Sequence, residues 1–502
     1  MLQPIQPIQQ TPKLSPKRSS KHSQRSSRRS KANRLIIDSH IVSLEFRDAL
    51  FTHFPALKGD LQLQRLVLHA LFNPHAHKAC DEYTVLSKTD CLRINGYLKT
   101  NSRFVGAAFL ERACAALPGL SVKPSDHLHN MARGVRLELP QGLRQLFETD
   151  LAGSLSSIDH PVDFVTGKSV NLSVRGNHKA ARAKHLVELE KRVNSGYMLA
   201  ELMDYMNGSS VQQHTLLLSK NLTAAYEEAS KIASKTKRIR TLVLLRSIER
   251  NPLPIYAPSK AGRSQRLYAV GASTQFLTSA VRRILLGVDG GRTVDLDLTN
   301  AQLAIVARLW DIQSLREVLE QHASFWEYLG LELRCDPLPI KKALKQFIYG
   351  LVFGMKEHAA KHALSSATSS DIATAVFKLE VISDIIRARQ ACMETLRAGG
   401  SLLAGNGEEL RLSHIKTNAS QQNADIRSLL AQQVQSYEVK LMKAAFDAVK
   451  GATEVSILVW QHDGLTLKFA RESGRDTWIP RIREAVRLAA EVEKMHTSLG
   501  CS

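Results

Sequence analysis

The chain has 502 residues, enough for two to four domains, and a formal net charge of +21 with a sequence pI near 9.8 favours a polyanionic partner. Nucleic acid is the commonest such partner, and an anionic membrane surface is the alternative. No uninterrupted apolar run is long enough to cross a bilayer, so we expect no membrane-spanning helix. Six scattered cysteines predict reduced thiols and a cytoplasmic location, and they argue against a disulfide framework.

Residues 1–34 form a basic tail that contains no Asp or Glu and few apolar residues. Such a segment cannot bury a core, and we expect it to be disordered. It lacks the apolar stretch of a signal peptide, and it lacks the amphipathic periodicity of the Arg- and Ser-rich organelle transit peptides. We interpret it as a non-specific arm for phosphate backbones, with a purely solubilising role as the alternative.

Residues 35–170 are predicted to form a mostly helical N-terminal domain. Apolar residues recur at helical spacing in Leu61–Phe72 and Phe104–Ala116. From about residue 121 the pattern becomes more β-like, and Gly134–Leu139 is a candidate strand.

Residues 171–250 are predicted to contain two long helices, His178–Met206 and Ser219–Glu249, with Lys and Arg on their exposed faces. A plain pair of solvated helices would show the same pattern. Two prolines in Asn251–Tyr256 then interrupt the helical periodicity. The next segment is again basic, and its cationic residues are Lys260, Arg263, Arg266, Arg282 and Arg283.

A strand followed by a helix is predicted at Thr293–Trp310. Apolar residues first alternate with Asp295 and Asp297, and the spacing then becomes helical. Asp297 therefore stands at the end of a strand and just before a helix, where a carboxylate is well placed to hold a metal ion. Asp295 lies two residues earlier on the same strand face, and we rank it as an accessory group.

A stripe of two cations and two rings marks Lys341–Met355. Its members are Lys341, Lys345, Tyr349 and Phe353, which share one face if the segment is helical. Such a face could hold a triphosphate at one end and stack a base at the other. The alternative is an ordinary amphipathic helix with its lysines in solvent and its rings in the core.

A hairpin is predicted at Val455–Phe469, where two β-rich runs flank Gln461-His462-Asp463-Gly464. Further helices are predicted at Leu315–Leu333, Ser370–Arg397 and Trp478–Thr497. An acidic strand end, a cationic and aromatic helix and an acidic hairpin thus follow one another along the chain.

In order and spacing, these three elements resemble the polymerase motifs of the family A DNA polymerases and of the related single-subunit phage-type RNA polymerases. The matching residues are Asp297 with Gln302, Lys341 with Lys345, Tyr349-Gly350 with Phe353-Gly354, and His462-Asp463. Ala431–Ala445 is similar to the glutamine-bearing helix of that family, with Gln435 at the glutamine, and Gly262-Arg263 is similar to its primer-side Gly-Arg element. The resemblance covers roughly the C-terminal half of the chain.

The resemblance implies an α+β fold of the right-hand type. The palm, with an antiparallel sheet, and the helical fingers would lie in residues 251–502, with the fingers at about 311–400. The two basic helices of residues 171–250 would be the thumb. The partners would be a DNA primer-template and nucleoside triphosphates, and the oligomeric state is left open.

The resemblance also implies two Mg²⁺ ions, because two carboxylates can bridge a pair of such ions in phosphoryl transfer. Asp297, Asp463 and the main-chain carbonyl of Leu298 would be the protein ligands. Lys345 would face the triphosphate and protonate the leaving pyrophosphate, and Lys341 would hold the outer phosphate. The remaining contacts would be Tyr349 near the sugar, Phe353 near the templating site, Gln302 at the sugar gate, and Arg263, Gln435 and His462 on the primer-template.

Three positions depart from the family pattern. The gate, usually Glu in DNA polymerases, is Gln302, whose bulk should still crowd a ribose 2′-hydroxyl. Phe353 lacks the hydroxyl with which the gate often pairs, and Gly464 replaces a common Glu. We expect a DNA-dependent DNA polymerase without a proofreading exonuclease, of the kind found in phages or mobile elements. The alternatives are a single-subunit RNA polymerase or primer-making enzyme, a non-catalytic replication initiator, and a basic scaffold that binds nucleic acid.

Overall fold

The computed structural model describes residues 40–72, 76–77, 80–86, 94, 105–124, 133–171, 187, 197–209, 211–258, 265–270, 272–288, 291–414 and 422–501. The chain divides into two compact units, residues 1–171 with 233–240 and residues 172–232 with 241–502. The basic tail, Arg263 and most of the predicted helix at His178–Met206 lie outside the described residues.

The first unit combines helices with two small antiparallel sheets. Its helices are α1 (Leu44–His53), α2 (Leu61–Phe72), α3 (Val105–Ala116) and α4 (Gln141–Ala152). Its strands are β1 (Ile41–Ser43), β2 (Ala76–His77), β3 (Cys80–Leu86), β4 (Leu120–Pro124), β5 (Arg133–Leu137) and β6 (Pro161–Asp163). One sheet has the order β2-β3-β5-β4, and β1 pairs with β6.

The two helices predicted from apolar spacing are confirmed as α2 and α3. The candidate strand at Gly134–Leu139 corresponds to β5, which begins one residue earlier. The expectation of a mostly helical region missed the four-stranded sheet, and β3 in particular. Short strands of this kind are stabilised by their neighbours, and a local pattern shows those neighbours poorly.

The first helices of the second unit are α5 (Ala200–Asn207) and α6 (Val211–Ser230). The next helix, α7 (Lys235–Arg250), belongs to the first unit up to Arg240 and to the second unit from Thr241. The single helix predicted at Ser219–Glu249 is wrong, because the chain leaves the helix after Ser230 and starts α7 at Lys235. The Ser234 hydroxyl accepts a hydrogen bond from the Lys237 N–H at 3.5 Å and so caps the new helix. Whether these helices act as a thumb stays a prediction.

An antiparallel sheet, here called the central sheet, organises the rest of this unit. Its strands are β9 (Thr293–Leu298), β12 (Val455–Trp460), β13 (Gly464–Phe469) and β14 (Leu499–Cys501), in the order β12-β13-β9-β14. The other strands form two-stranded ribbons, β7 (Ile255–Pro258) with β8 (Leu267–Val270) and β10 (Ser401–Leu403) with β11 (Glu409–Arg411). The predicted strand and hairpin are therefore confirmed as β9 and β12–β13.

The helices of the second unit beyond α7 are α8 (Ser279–Leu286), α9 (Ala301–Leu309), α10 (Gln313–Gln321), α11 (Phe325–Leu333), α12 (Lys341–Val352), α13 (Glu357–Ala367), α14 (Ser370–Lys378), α15 (Glu380–Arg397), α16 (Gln422–Val449) and α17 (Gly474–Val492). A continuous apolar core joins the central sheet to α9, α12, α15, α16 and α17.

Three helix boundaries differ from the prediction. Leu315–Leu333 is two helices, because the Ser324 hydroxyl accepts from the Glu327 N–H and starts α11 anew. Ser370–Arg397 is also two helices, with extended backbone at Leu379. The predicted C-terminal helix at Trp478–Thr497 begins earlier and ends earlier, as α17.

The structure is thus a helix-rich α+β fold with small antiparallel sheets. Among the described residues, no helix has the length and apolar character needed to cross a membrane. The right-hand arrangement of palm, fingers and thumb stays a prediction.

Candidate active site

The end of β9 and the β12–β13 turn bring Asp297 and Asp463 next to each other. Asp297 pairs with Gly464 across the ladder, and the Leu298 N–H donates to the Asp463 carbonyl at 2.7 Å. The Gln461 N–H closes the turn by donating to the Gly464 carbonyl at 2.8 Å. Both carboxylate side chains are exposed at this edge of the central sheet.

The pKa of Asp297 is raised to about 7. The first cause is the surrounding protein, which displaces part of the water that would hydrate the charged form, and the second is the negative charge of Asp463. Lys345 acts in the opposite direction and lowers this pKa. Asp297 therefore lies within the electrostatic reach of Asp463 in the β12–β13 turn and of Lys345 on α12.

Asp295 lies on the same face of β9 as Asp297, but its side chain is only 3% exposed. It accepts a hydrogen bond from the Thr466 hydroxyl, and Arg282 lies 3.8 Å from its other oxygen. The expectation of an accessory carboxylate beside Asp297 is therefore wrong, because the Asp295 carboxylate is buried and is held by Thr466 and Arg282. Within the described ranges, no three His, Cys, Asp or Glu side chains form a metal-binding group.

Helix α12 separates its polar stripe from a buried apolar face. Lys345 is exposed, Lys341 and Tyr349 are half-buried, and the opposite face is buried as Leu344, Phe347, Ile348, Leu351 and Val352. The Lys345 ammonium lies 5.7 Å from the centre of the Trp326 ring, which packs edge-on against Tyr349. Lys345 thus faces solvent, whereas Tyr349 packs partly on the core.

Burial raises the pKa of the Tyr349 hydroxyl above its ordinary value, and the charges of Asp463, Glu438 and Asp297 add to that shift. These carboxylates favour the neutral phenol because a phenolate would repel them. Tyr349 therefore belongs to the same electrostatic cluster as the two aspartates.

Phe353 is not on the helix itself. Helix α12 ends at Val352, Phe353 is its C-cap, and Gly354 follows with a φ of +87°. The predicted helical stripe is therefore correct for Lys341, Lys345 and Tyr349, but Phe353 lies just beyond the end of the helix. The left-handed backbone at Gly354 turns the chain away, and the half-buried Phe353 ring still packs against the core.

Gln302 and Gln435, the predicted gate and a predicted primer contact, lie on α9 and α16. Gln302, in the first turn of α9, donates through Nε2 to Glu438 Oε2 at 3.2 Å. Gln435 is half-buried on α16, one turn before Glu438. The Leu298 side chain is buried and has no ligating atom, so only its main-chain carbonyl could bind a metal ion.

The His462 ring packs against Tyr268, with 4.9 Å between ring centres. Burial lowers the pKa of His462 to about 4, and Arg266 contributes in the same direction. The imidazole is therefore neutral at neutral pH and can both donate and accept hydrogen bonds. Its Nδ1 is buried and has no hydrogen-bond partner among the described residues.

Glu438 and its pairing with Arg266 escaped prediction from the sequence. Glu438 is fully buried on α16. Burial raises its pKa, the charge of Arg266 lowers it, and the charge of Asp463 raises it again. The sequence indicated Arg266 only as one cation of a basic segment. No local pattern around Glu438 in the sequence identified it or its partner.

Comparison with protein-family models and with curated proteins gives no match. Among solved structures, the chain is similar to the POL domain of Pol1 from M. smegmatis in complex with DNA primer-template and dNTP. The alignment covers 66% of each chain, with 16% sequence identity and a TM-score of 0.42. These values are too low for the similarity to support an assignment of function.

Proposed function

We propose that the chain is a template-directed nucleotidyltransferase, and specifically a DNA-dependent DNA polymerase. The observation that carries this proposal is the placement of Asp297 and Asp463 side by side, where Asp297 pairs with Gly464 and the Leu298 N–H donates to the Asp463 carbonyl. The charge of Lys345 on α12 also reaches Asp297 and lowers its pKa. Nucleotidyl transfer needs little covalent help from a protein, but it needs carboxylates and cations held in fixed relative positions.

The two aspartates fit a pair of Mg²⁺ ions by the chemistry of their donor atoms. Both offer hard carboxylate oxygens, and their like charges disfavour ionisation of Asp297 in the absence of a cation. We assign Asp297, Asp463 and the main-chain carbonyl of Leu298 as the ligands. Bound Mg²⁺ would stabilise the negative charge on the attacking and leaving oxygens of the reaction.

The stripe on α12 supplies the nucleotide contacts in this proposal. Lys345 is exposed and close enough to Asp297 to lower its pKa, so its ammonium can hold the triphosphate and donate a proton to the leaving pyrophosphate. Lys341, one turn earlier, would bind the outer phosphate. Tyr349 would contact the sugar, and Phe353 would lie near the templating base.

The primer-template contacts are assigned to Arg263, Gln435 and His462. His462 precedes Asp463 in the turn and is uncharged at neutral pH, so it can hydrogen-bond a primer terminus without repelling a cation. We place Gln302 at the sugar, where the bulk of its side chain would crowd a 2′-hydroxyl.

Primer extension on a DNA template with Mg²⁺ tests this proposal, using deoxynucleotides and ribonucleotides in parallel. We expect deoxynucleotide incorporation by the natural chain and none by Asp297→Ala or Asp463→Ala, with DNA binding retained by both variants. Asp447→Ala removes a carboxylate that pairs with Lys443 on the surface of α16 and should leave extension unchanged.

The other outcomes each contradict part of the proposal. Extension by either aspartate variant at the natural rate would show that the metal site is wrong. Incorporation of ribonucleotides alone would indicate an RNA polymerase or primer-making enzyme. Intact DNA binding without incorporation from either pool would indicate a non-catalytic initiator.

A further inference from the structure

A buried ion pair lies beneath the candidate active site. The Glu438 side chain is fully buried, and Arg266 approaches it through the edge of the guanidinium that carries Nε and Nη2. The Arg266 Nε donates to Oε1 at 2.9 Å, and its Nη2 lies 2.6 Å from Oε1 and 2.8 Å from Oε2. A bidentate pair of this kind holds a carboxylate in one orientation.

The Glu438 carboxylate also anchors Gln302. Gln302 Nε2 donates to Glu438 Oε2 at 3.2 Å, and a carboxylate paired with Arg266 can only accept. The amide group of Gln302 is therefore oriented with its NH₂ toward Glu438 and its carbonyl oxygen elsewhere. Arg266, Gln302 and Glu438 come from three separate parts of the chain, so this orientation is fixed by tertiary structure.

An unanchored glutamine has three rotatable side-chain bonds and could move away from a neighbouring group. The Gln302 side chain is half-buried, and Phe353 has no hydroxyl that could hold it. The hydrogen bond to Glu438 supplies a fixed position instead. Gln302 lies five residues after Asp297, and Glu438 raises the pKa of the Tyr349 hydroxyl. The anchored amide therefore belongs to the same cluster as the proposed nucleotide contacts.

We infer that Glu438 is a positioning residue that holds the Gln302 amide against the nucleotide sugar and thereby sets the preference for deoxyribose over ribose. This inference rests on the proposed function. A Gln302 side chain held in one place would crowd a 2′-hydroxyl, whereas a mobile one would yield to it.

The test compares the ratio of kcat/KM for deoxynucleotides to kcat/KM for ribonucleotides on one primer-template. The chains are the natural one, Gln302→Met, Glu438→Met and the double variant. We expect each single change to lower the ratio by roughly ten-fold, the size expected for one hydrogen bond to a charged group. The double variant should lower the ratio no further, because both changes remove the same constraint.

Glu438→Asp separates positioning from stability. It keeps a negative charge for Arg266 but withdraws the carboxylate from Gln302 by one methylene group. We expect it to lower the ratio while it retains more of the thermal stability than Glu438→Met does. If Glu438→Met does not fold, Glu438→Asp and Gln302→Met decide the question.

The inference is wrong if folded Glu438 variants keep the natural ratio, because Glu438 then only supports the fold. It is also wrong if the natural chain uses both sugars equally well, while the proposed transfer of nucleotides would still stand. No incorporation by any chain, the natural one included, would overturn the proposed function together with this inference.

Discussion

Gly464 leaves no room for a side chain beside Asp297. A Cβ atom at this position would lie 2.6 Å from the Leu296 carbonyl oxygen and 2.9 Å from Asp297 Oδ1. Real Cβ atoms do not approach other atoms this closely, so a side chain at position 464 would displace the strand or the carboxylate. The glycine that departs from the family pattern therefore has a steric reason in this chain.

We predict that Gly464→Ala lowers the rate of primer extension by about 10- to 100-fold, because it shifts the Asp297 carboxylate out of position. It should also lower the free energy of unfolding by about 1–3 kcal/mol, measured by urea denaturation. Gly474→Ala is the matched control, since a Cβ there would meet its nearest atoms at 3.8 Å, an ordinary contact distance. A Gly464→Ala protein as active as the natural chain would show that Asp297 tolerates displacement.

Lys345 is an exposed cation on α12 whose charge lowers the pKa of Asp297. We predict that Lys345→Ala lowers the single-turnover rate of nucleotide incorporation by about 100- to 1,000-fold, because a proton donor and a positive charge are both lost. Lys342→Ala removes a nearby exposed lysine and should change the rate by less than about three-fold, since Lys342 is not among the charges that shift the pKa of Asp297. Equal single-turnover rates for Lys345→Ala and the natural chain would reject this role.

At the scale of elements, the C-terminal end of α12 depends on α15. Arg389 of α15 is only 5% exposed, and its Nη1 donates to the Leu351 and Met355 carbonyls at 3.0 and 3.1 Å. These two carbonyls flank Phe353 and Gly354, where the helix gives way to a left-handed turn. Arg389 therefore joins the last turn of α12 to the left-handed turn that follows it, where the Leu351 carbonyl also accepts from the Gly354 N–H at 3.0 Å.

We predict that Arg389→Met destabilises the fold by about 2–3 kcal/mol, because a buried charged donor to two carbonyls is lost. Arg387→Met on the same helix removes an arginine that is 79% exposed and pairs with Asp384, and it should cost less than about 1 kcal/mol. Urea denaturation followed by circular dichroism measures both values. Similar costs for the two variants would mean that the helix end does not depend on Arg389.

At the scale of the whole molecule, the excess of positive charge is the dominant feature. The first 34 residues alone carry nine Lys and Arg and no acidic residue. Each phosphate that such a segment neutralises adds about 0.9 to the slope of log affinity against log salt concentration on duplex DNA. The contribution of the tail can therefore be read from a salt titration.

We predict that deleting residues 1–34 weakens DNA binding mainly at low salt and makes the slope shallower by several units, as measured by fluorescence anisotropy. A full-length chain with the nine tail cations changed to Gln should behave like the deletion, because charge and not length is responsible. A slope that is unchanged in both proteins would show that the tail does not contribute to DNA binding.

Local periodicity determined the elements that carry the candidate site. The alternation at Thr293–Leu298 predicted β9, the four-residue recurrence from Lys341 predicted α12, and the Asp-Gly turn predicted the β12–β13 hairpin. These signals suffice because strands, helices and tight turns each impose a short repeat or a special backbone position on their own residues. The order of the three elements along the chain was likewise visible in the sequence.

Only the tertiary structure decided which polar groups meet one another. Arg266 and Glu438 are separated by 172 positions, and Asp295 is joined to Thr466 across 171. No local repeat records such partners, because a buried charge is stabilised by whatever group the fold brings to it. The sequence therefore predicted Asp297 and Asp463 from their local positions, whereas the burial of Asp295 and the anchoring of Gln302 by Glu438 emerged only from packing.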